Sequence, residues 1–227
     1  MAFMFDTANL DAIRKYIQYY PIVGVTTNPS IVKAEGQIDF FAHMKEIRRI
    51  IGRERSLHVQ VVAADTENML REAYAILNNI DEKVYIKVPT TEEGLRTMMK
   101  LKAEGIGVTA TAIYTTVQGY AAILAGADYI AAYRNRMESL DINFGDAIAS
   151  FRKMIDDNHL PAKILAASFK NISQVNRAFV AGAHTATVSP ELLHKSFQMP
   201  MVEKAIEDFQ NDWAASFGPV SIADLAK

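Results

Sequence analysis

The most reactive side chain that the sequence offers is a lysine in apolar surroundings. Lys87 lies between Ile86 and Val88 in the segment VYIKVP, two residues before Pro89. Such surroundings hydrate an ammonium poorly and lower its pKa, which favours the neutral amine. A neutral amine attacks carbonyl carbons and forms a Schiff base. The alternative is a strand-end lysine whose ammonium snorkels to water, and the local sequence leaves both interpretations open.

Several other polar side chains follow short apolar runs. Asp6 is either a carboxylate beside the amine or the N-cap of a helix that begins in DTANL. Asn28, after Thr26 in GVTTNPS, caps a helix whether or not it also binds a ligand. Gln60 either positions a water or satisfies polar groups in the core. Thr111 is explained equally well by the strand propensity of threonine.

A phosphate site is the second kind of chemistry that the sequence suggests. Arg136 and the segment AASFK, with Ser168 and Lys170, are its candidates. Arginine grips phosphate with a planar fork of donors, and late loops of a β/α barrel often bind phosphate. The alternative is ordinary surface charge on loops.

Composition excludes several other classes of site. There is no cysteine, and the five histidines have no paired spacing typical of metal ligands, so we expect no metal and no cofactor. With 24 basic and 26 acidic residues, no bulk field attracts nucleic acid or a membrane surface. The first residues lack the basic start of a secretory signal and no run is long enough to span a membrane, so we expect a cytoplasmic protein.

The elements that must position these residues alternate between strand and helix. Eight short runs rich in β-branched, alanine and aromatic residues predict strands. They are Phe3–Phe5, Ile22–Val25, Leu57–Val62, Val84–Val88, Gly107–Thr111, Tyr129–Ala132, Lys163–Ala167 and Thr185–Val188.

Helical periodicity fills the intervals between the strands. Predicted helices are Leu10–Tyr20, Phe40–Ile51, Glu67–Asn78, Glu92–Ala103, Thr115–Leu124, Phe144–Asp157, Ser173–Val180, Pro190–Phe197 and a last one over Met201–Ala215. Asn28 and Ser189, each before a proline, predict helix starts, and Thr90 with Glu93 predicts a capping box.

Eight strand–helix units in 227 residues favour a single (β/α)8 TIM barrel over residues 1–227, with residues 200–227 as an extra C-terminal helix and tail. The rival is an open doubly wound sheet, but no G-x-G-x-x-G motif follows a strand. In a barrel, side chains alternate between interior and helices, which places Lys87 inside and near the catalytic rim. The other polar candidates converge on the same rim.

The motifs resemble those of one known family, the small transaldolases and fructose-6-phosphate aldolases, from end to end. The segments that carry the resemblance are FDTAN, GVTTNPSI, VQV, VYIKVP, TATAIY, YIAAYRNRM, ILAASFKN and FQNDWAASFG. The resemblance implies a metal-free barrel enzyme in which Lys87 forms a Schiff base with a ketose or dihydroxyacetone. It further implies that Asp6 and Asn28 contact the donor and help move protons. Gln60, Thr111 and Tyr133 would hold a catalytic water, and Arg136 and Ser168 would bind the phosphate of the acceptor.

The sequence is compatible with three functions: an aldolase, a transaldolase and a binding protein without catalysis. Transaldolases resemble one another in carrying Glu at the position of Gln60 and usually Phe at that of Tyr133, so this sequence is more similar to the aldolases. TVSPELL, with Ser189, resembles the transaldolases instead, and Arg134 adds a charge that the resemblance does not predict. A phosphosugar-binding barrel without catalysis is the third function. The resemblance also implies a homo-oligomer, a decamer of two pentamers, in which the last helix, with Trp213 on its apolar face, packs on a neighbouring subunit.

Overall fold

Eight short parallel strands close into a barrel. In the computed structural model, which describes residues 1–226, each strand pairs with the next along the chain and the last pairs with the first. The strands are β1 (Ala2–Asp6), β2 (Ile22–Thr26), β3 (Ser56–Gln60), β4 (Tyr85–Pro89), β5 (Val108–Ile113), β6 (Tyr129–Tyr133), β7 (Lys163–Ala167) and β8 (Thr185–Val188). The pairing of β1 with β8 excludes the open sheet and confirms the predicted barrel.

Helices follow every strand. They are α1 (Leu10–Tyr16), α2 (Pro29–Ala34), α3 (Phe40–Ile51), α4 (Thr66–Asn79), α5 (Glu92–Ala103), α6 (Thr116–Leu124), α7 (Arg134–Glu138), α8 (Phe144–Asp157), α9 (Ile172–Val180), α10 (Pro190–Lys195) and α11 (Pro200–Phe217). Two of these helices differ clearly from the predicted ones. Helix α1 ends at Tyr16 rather than Tyr20, because the chain turns before Pro21 with Tyr19 and Tyr20 both donating to the Tyr16 carbonyl. The short helix α7 was not predicted at all.

The predicted capping box at Thr90 is wrong, because tertiary contacts use both of its residues elsewhere. The hydroxyl of Thr90 donates to the carbonyl of Thr111 on the neighbouring strand. The carboxylate of Glu93 accepts from the backbone N–H of Thr66 at the start of α4. Thr91 caps α5 instead, accepting from the N–H of Gly94 at 3.0 Å.

Two apolar layers hold the barrel together. The larger lies between the strands and the surrounding helices, where Val59, Ile86 and Val88 face outward as their parity predicted. The smaller fills the barrel interior with Met4, Tyr129 and Leu165. A rigid shell on both faces of the strands fixes the side chains at their carboxyl ends.

The chain divides into two compact units, residues 1–193 with the barrel and a second unit from His194 onward. The second unit contains α11, in which Trp213 stacks near Phe217 with ring centroids 4.5 Å apart. The Trp213 indole N–H also donates to the carbonyl of Val220 at 2.7 Å. Among the helices that the structure describes, none has both the length and the apolar character needed to cross a membrane.

Candidate active site

Lys87 lies inside the barrel, on β4 between Gln60 of β3 and Thr109 of β5. Its side chain is buried, with 3% of the residue exposed. The Nζ atom donates a hydrogen bond of 2.6 Å to the backbone carbonyl of Thr27. The ammonium of a snorkelling lysine would reach water. The Lys87 amine lies in the barrel interior instead, so the snorkelling interpretation is wrong.

Burial changes the protonation of this amine. Removal from water lowers the pKa of Lys87 to about 8, although the nearby carboxylate of Asp6 acts in the opposite direction. At pH 7 about a tenth of such amines are neutral, against roughly 4 in 10,000 for an ordinary lysine. Burial in the barrel therefore increases the share of neutral Lys87 amine near neutral pH.

Asp6 ends β1 and belongs to a chain of hydrogen bonds. The hydroxyl of Thr26 donates to its carboxylate at 2.7 Å. Because that hydroxyl has only one proton, the 2.6 Å contact between Thr26 and Thr187 is donated by Thr187. Burial raises the pKa of Asp6, while the charge of Lys87 and the Thr26 hydrogen bond lower it. Asn9 caps α1, so Asp6 does not serve as the cap that its local sequence allowed.

Tyr133 ends β6, and its phenol lies 3.1 Å from the hydroxyl of Thr111. Burial raises the pKa of Tyr133, so the phenol keeps its proton and remains able to donate it. Thr111 lies within a register shift of β5, between Ala110 and Ile113, and the next residue, Ala112, has a left-handed backbone with φ of 56°. Bulges of this kind redirect side chains at the rims of barrels.

A cavity of about 110 Å³ joins these groups. It is lined by Asp6, Thr26, Asn28, Lys87, Ala131, Tyr133, Leu165, Ala167, Ser168 and Thr187. Six of the predicted site residues therefore line one small chamber, and Thr111 is attached to it through Tyr133. Asn28 also caps α2, accepting from the N–H groups of Ser30 and Ile31, which confirms the capping that the sequence predicted.

Two predicted residues lie outside this chamber. Gln60 lines a neighbouring apolar cleft of about 420 Å³, which shares Asn28 with the chamber, and its buried Oε1 has no hydrogen-bond partner among the described residues. Arg136 is exposed on α7, one helical turn after Tyr133. The functional roles given to these two residues stay predictions.

Sequence reasoning missed Thr27 and Thr187. Thr27 contributes only its backbone carbonyl to the site, and carbonyls carry no sequence signal. Thr187 could have been identified from the alternation of side chains along β8, because its position near the end of that strand faces the barrel interior. Because strand propensity alone explains a threonine in a strand, Thr187 was not distinguished as a site residue.

Below Lys87, the barrel interior contains a histidine. The two ring nitrogens of His58 lie 2.7 Å from the Thr109 hydroxyl and 2.8 Å from that of Ser56. Its ring stacks on Tyr85 with centroids 4.8 Å apart. Burial first, and then the charge of Lys87, lower the pKa of His58 to about 3. The imidazole is therefore a neutral packing element below the amine.

The arrangement can perform carbonyl chemistry, since it pairs a poorly hydrated amine with a carboxylate and a protonated phenol. Over residues 1–226, no group of three or more His, Cys, Asp or Glu side chains is placed to hold a metal ion.

Comparison with known proteins agrees with the predicted family. The family described as Transaldolase/Fructose-6-phosphate aldolase matches residues 3–221. A protein of Streptococcus pneumoniae (strain ATCC 700669 / Spain 23F-1) described as a probable fructose-6-phosphate aldolase is 49% identical over 213 residues, which are 94% of this chain and 96% of that protein. These matches confirm the resemblance that the motifs predicted. The chain therefore belongs to the transaldolase/fructose-6-phosphate aldolase family of enzymes.

Proposed function

We propose that this enzyme is a Schiff-base aldolase that reversibly cleaves fructose 6-phosphate into dihydroxyacetone and glyceraldehyde 3-phosphate. The observation that carries the proposal is the buried Lys87 amine, with its lowered pKa, in one chamber with Asp6 and Tyr133. The similarity to a relative described as a probable fructose-6-phosphate aldolase supports this choice of substrate.

The first step forms the covalent intermediate. The lone pair of the Lys87 amine attacks the ketose carbonyl carbon, and the resulting carbinolamine loses water to give an iminium ion. Since the Thr27 carbonyl binds the amine through one N–H, the direction of the lone pair is restricted before substrate arrives. The carboxylate of Asp6 stabilises the positive charge of the iminium.

The second step breaks the carbon–carbon bond. A base removes the proton of the C4 hydroxyl, the C3–C4 bond cleaves, and its electron pair passes into the iminium to give an enamine. Glyceraldehyde 3-phosphate leaves. The enamine is then protonated at C3, and water hydrolyses the iminium to dihydroxyacetone and the free amine. The overall reaction consumes no oxidant or reductant.

Proton transfer in both steps falls to Tyr133 and a bound water. Gln60 cannot act as a base. In this proposal its Oε1, which has no hydrogen-bond partner among the described residues, accepts a hydrogen bond from that water. The phenol of Tyr133, oriented by Thr111, donates and recovers the proton. Arg136 and Ser168 bind the phosphate of the acceptor, with Ser168 at the edge of the chamber.

The alternative is a transaldolase, which passes the dihydroxyacetone unit directly from sedoheptulose 7-phosphate to glyceraldehyde 3-phosphate. The similarity of TVSPELL to transaldolases favoured it. In the structure, Ser189 of that segment accepts a hydrogen bond from the N–H of Leu192 and thus caps α10. A capping role explains this serine without any reference to the reaction, which weakens the argument for the transfer activity.

A paired product assay tests the choice. The enzyme is given fructose 6-phosphate with and without erythrose 4-phosphate, and free dihydroxyacetone and sedoheptulose 7-phosphate are both quantified. The aldolase predicts release of dihydroxyacetone in either mixture, with little sedoheptulose 7-phosphate. Formation of sedoheptulose 7-phosphate without free dihydroxyacetone would establish the transaldolase, and saturable binding without turnover would establish a phosphosugar-binding barrel.

The protein acts as a homo-oligomer in this proposal, with α11 covered by a neighbouring subunit. Support comes from the large apolar side chains that α11 leaves exposed, including Met201, Ile206, Phe209 and Phe217. A decamer in the cytoplasm that binds sugar phosphates and dihydroxyacetone, and neither nucleic acid nor membrane, completes the proposal. Light scattering of the purified enzyme measures the number of subunits.

A further inference from the structure

The phosphate-binding candidates lie on two segments that separate from each other at the rim. Strands β6 and β7 remain in register up to Tyr133 and Ala167. Beyond that pair, β6 turns directly into α7, and the strand ladder ends. The side-chain amide of Asn135 on α7 then donates to the backbone carbonyl of Ser168 at 2.6 Å. This bond continues the connection between the two segments after the ladder has stopped.

Ser168 needs such a connection because its backbone is strained. Its φ of 67° lies in the left-handed region, which a residue with a Cβ seldom adopts. In this conformation Ser168 lines the Lys87 chamber. Its hydroxyl also lies 3.5 Å from the amide nitrogen of Asn135. A strained residue persists only when its neighbours restrain it, and Asn135 is the restraint at its carbonyl.

A second contact holds the first turn of α9, which directly follows the same loop. Arg134, which is buried, donates to the backbone carbonyl of Gln174 at 3.2 Å. The side chain of Gln174 in turn accepts from the N–H of Lys170 at 2.6 Å. Consecutive residues of α7 thus contact Ser168 at the start of the loop after β7 and Gln174 in the first turn of α9, which follows that loop. The next residue along α7 is Arg136.

We infer that Asn135 is a positioning residue that sets the separation of Ser168 from Arg136 and so determines the preference for a phosphorylated aldehyde acceptor. The inference rests on the proposed function, in which those two residues bind the phosphate. Asn135 acts through the Ser168 hydroxyl and leaves the Schiff-base chemistry at Lys87 unchanged.

The test measures synthesis from dihydroxyacetone with two acceptors, D-glyceraldehyde 3-phosphate and D-glyceraldehyde. Asn135→Ala removes the donor, and Asn135→Leu removes it at nearly constant volume. Asn176→Ala, at an exposed asparagine of α9, is the matched control. Ser168→Gly removes the hydroxyl at a position where glycine adopts the left-handed backbone without strain. Thermal unfolding of each variant reports whether it is folded.

For Asn135→Ala and Asn135→Leu we expect KM for the phosphorylated acceptor to rise about tenfold, as loss of one hydrogen bond implies. We expect kcat, and KM for D-glyceraldehyde, to change by less than about twofold. In the Ser168→Gly background, Asn135→Ala should add less than about threefold, because the hydroxyl through which it acts is gone. Equal losses with both acceptors, no loss with either, or additive effects in the double variant would overturn the inference.

The same assay separates this inference from the proposed function. If the unaltered enzyme and Arg136→Ala use the two acceptors alike, there is no phosphate site, and both this inference and the phosphate-binding part of the proposed function fail. The Schiff-base chemistry of the proposed function is then tested separately, by trapping at Lys87. If Arg136→Ala loses the preference for phosphate while both Asn135 variants keep it, the site stands and only the role of Asn135 is contradicted. A variant that does not fold is replaced by the other Asn135 substitution, which keeps the comparison decisive.

Discussion

The amine of Lys87 donates its 2.6 Å hydrogen bond to the backbone carbonyl of Thr27, the residue before the asparagine that caps α2. The N–H of Thr27 in turn donates to the carbonyl of His58 on the next strand. The Lys87 amine is therefore oriented by backbone that is itself fixed in the barrel. Side-chain substitutions at the rim should alter its reactivity without changing its direction.

The pKa of Lys87 predicts how the reaction depends on pH. The neutral amine attacks, so the rate of Schiff-base formation should rise as pH increases through about 8 and level off above it. The Asp6 carboxylate raises the pKa of Lys87, so Asp6→Asn should lower that pKa and move the rising part of the profile to lower pH. The measurement is the initial rate of adduct formation with dihydroxyacetone between pH 6 and 10 in steps of about half a unit.

Glu67→Gln is the control for this experiment, because it removes an exposed carboxylate on α4. Its profile should coincide with that of the unaltered enzyme. A profile that still rises steeply at pH 10, near the pKa of an ordinary lysine, would show that burial does not activate the amine.

Tyr133 is predicted to transfer protons and not to form the covalent bond. Tyr133→Phe should lower kcat for fructose 6-phosphate cleavage by roughly 100-fold or more, the usual contribution of a general acid. The adduct between Lys87 and dihydroxyacetone should still form. Tyr19→Phe, at an exposed tyrosine, is the matched control and should keep full activity. An unchanged kcat in Tyr133→Phe would contradict the assignment.

Arg136 is predicted to recognise the phosphate of the acceptor. Arg136→Ala should raise KM for D-glyceraldehyde 3-phosphate roughly 10- to 100-fold, the value of one hydrogen bond to a charged group. KM for D-glyceraldehyde should remain nearly constant. Arg71→Ala, at an exposed arginine on α4, removes the same charge elsewhere. Equal effects of the two substitutions would mean that only the overall charge matters.

His58 links the stability of the barrel to pH. Its pKa is about 3 in the folded state and about 6.5 in the unfolded state, so the unfolded state binds the additional proton between these values. The stability that His58 contributes is present above pH 6.5 and decreases as pH falls, by up to about 1.4 kcal/mol per pH unit. In His58→Asn, which cannot titrate, the slope of unfolding free energy between pH 6.5 and 5 should be smaller. Denaturant unfolding measures both slopes, and identical slopes would contradict the neutral state of the buried ring.

The sequence predicted the structural features that depend on the alternation of apolar and polar residues along the chain. Eight strands, the inward parity of Lys87 and the cap at Asn28 follow from periodicity and local hydrogen bonding, and the structure confirms each of them. Local patterns of this kind require only neighbours within a few residues. The bounds of Glu92–Ala103 and Phe144–Asp157 were also correct.

What the sequence did not predict depends on contacts between distant residues. Thr90 and Thr91 are equivalent candidates for the cap of α5, and only the partners of Thr90 and Glu93 on other strands and helices decide between them. The left-handed backbone of Ser168 likewise has no signal in a serine. Its restraint by Asn135 joins residues 33 apart in the chain, so no local pattern could reveal it.

Reductive trapping tests whether Lys87 forms the Schiff base. The enzyme is incubated with dihydroxyacetone and sodium borohydride, digested, and analysed by mass spectrometry. We expect one stable adduct on the peptide that contains Lys87, together with loss of cleavage activity in step with trapping. In Lys87→Met the adduct and at least about 1,000-fold of activity should be lost while the barrel still unfolds cooperatively. An unmodified Lys87 with full activity in borohydride, or an adduct confined to other lysines, would contradict Schiff-base formation at Lys87.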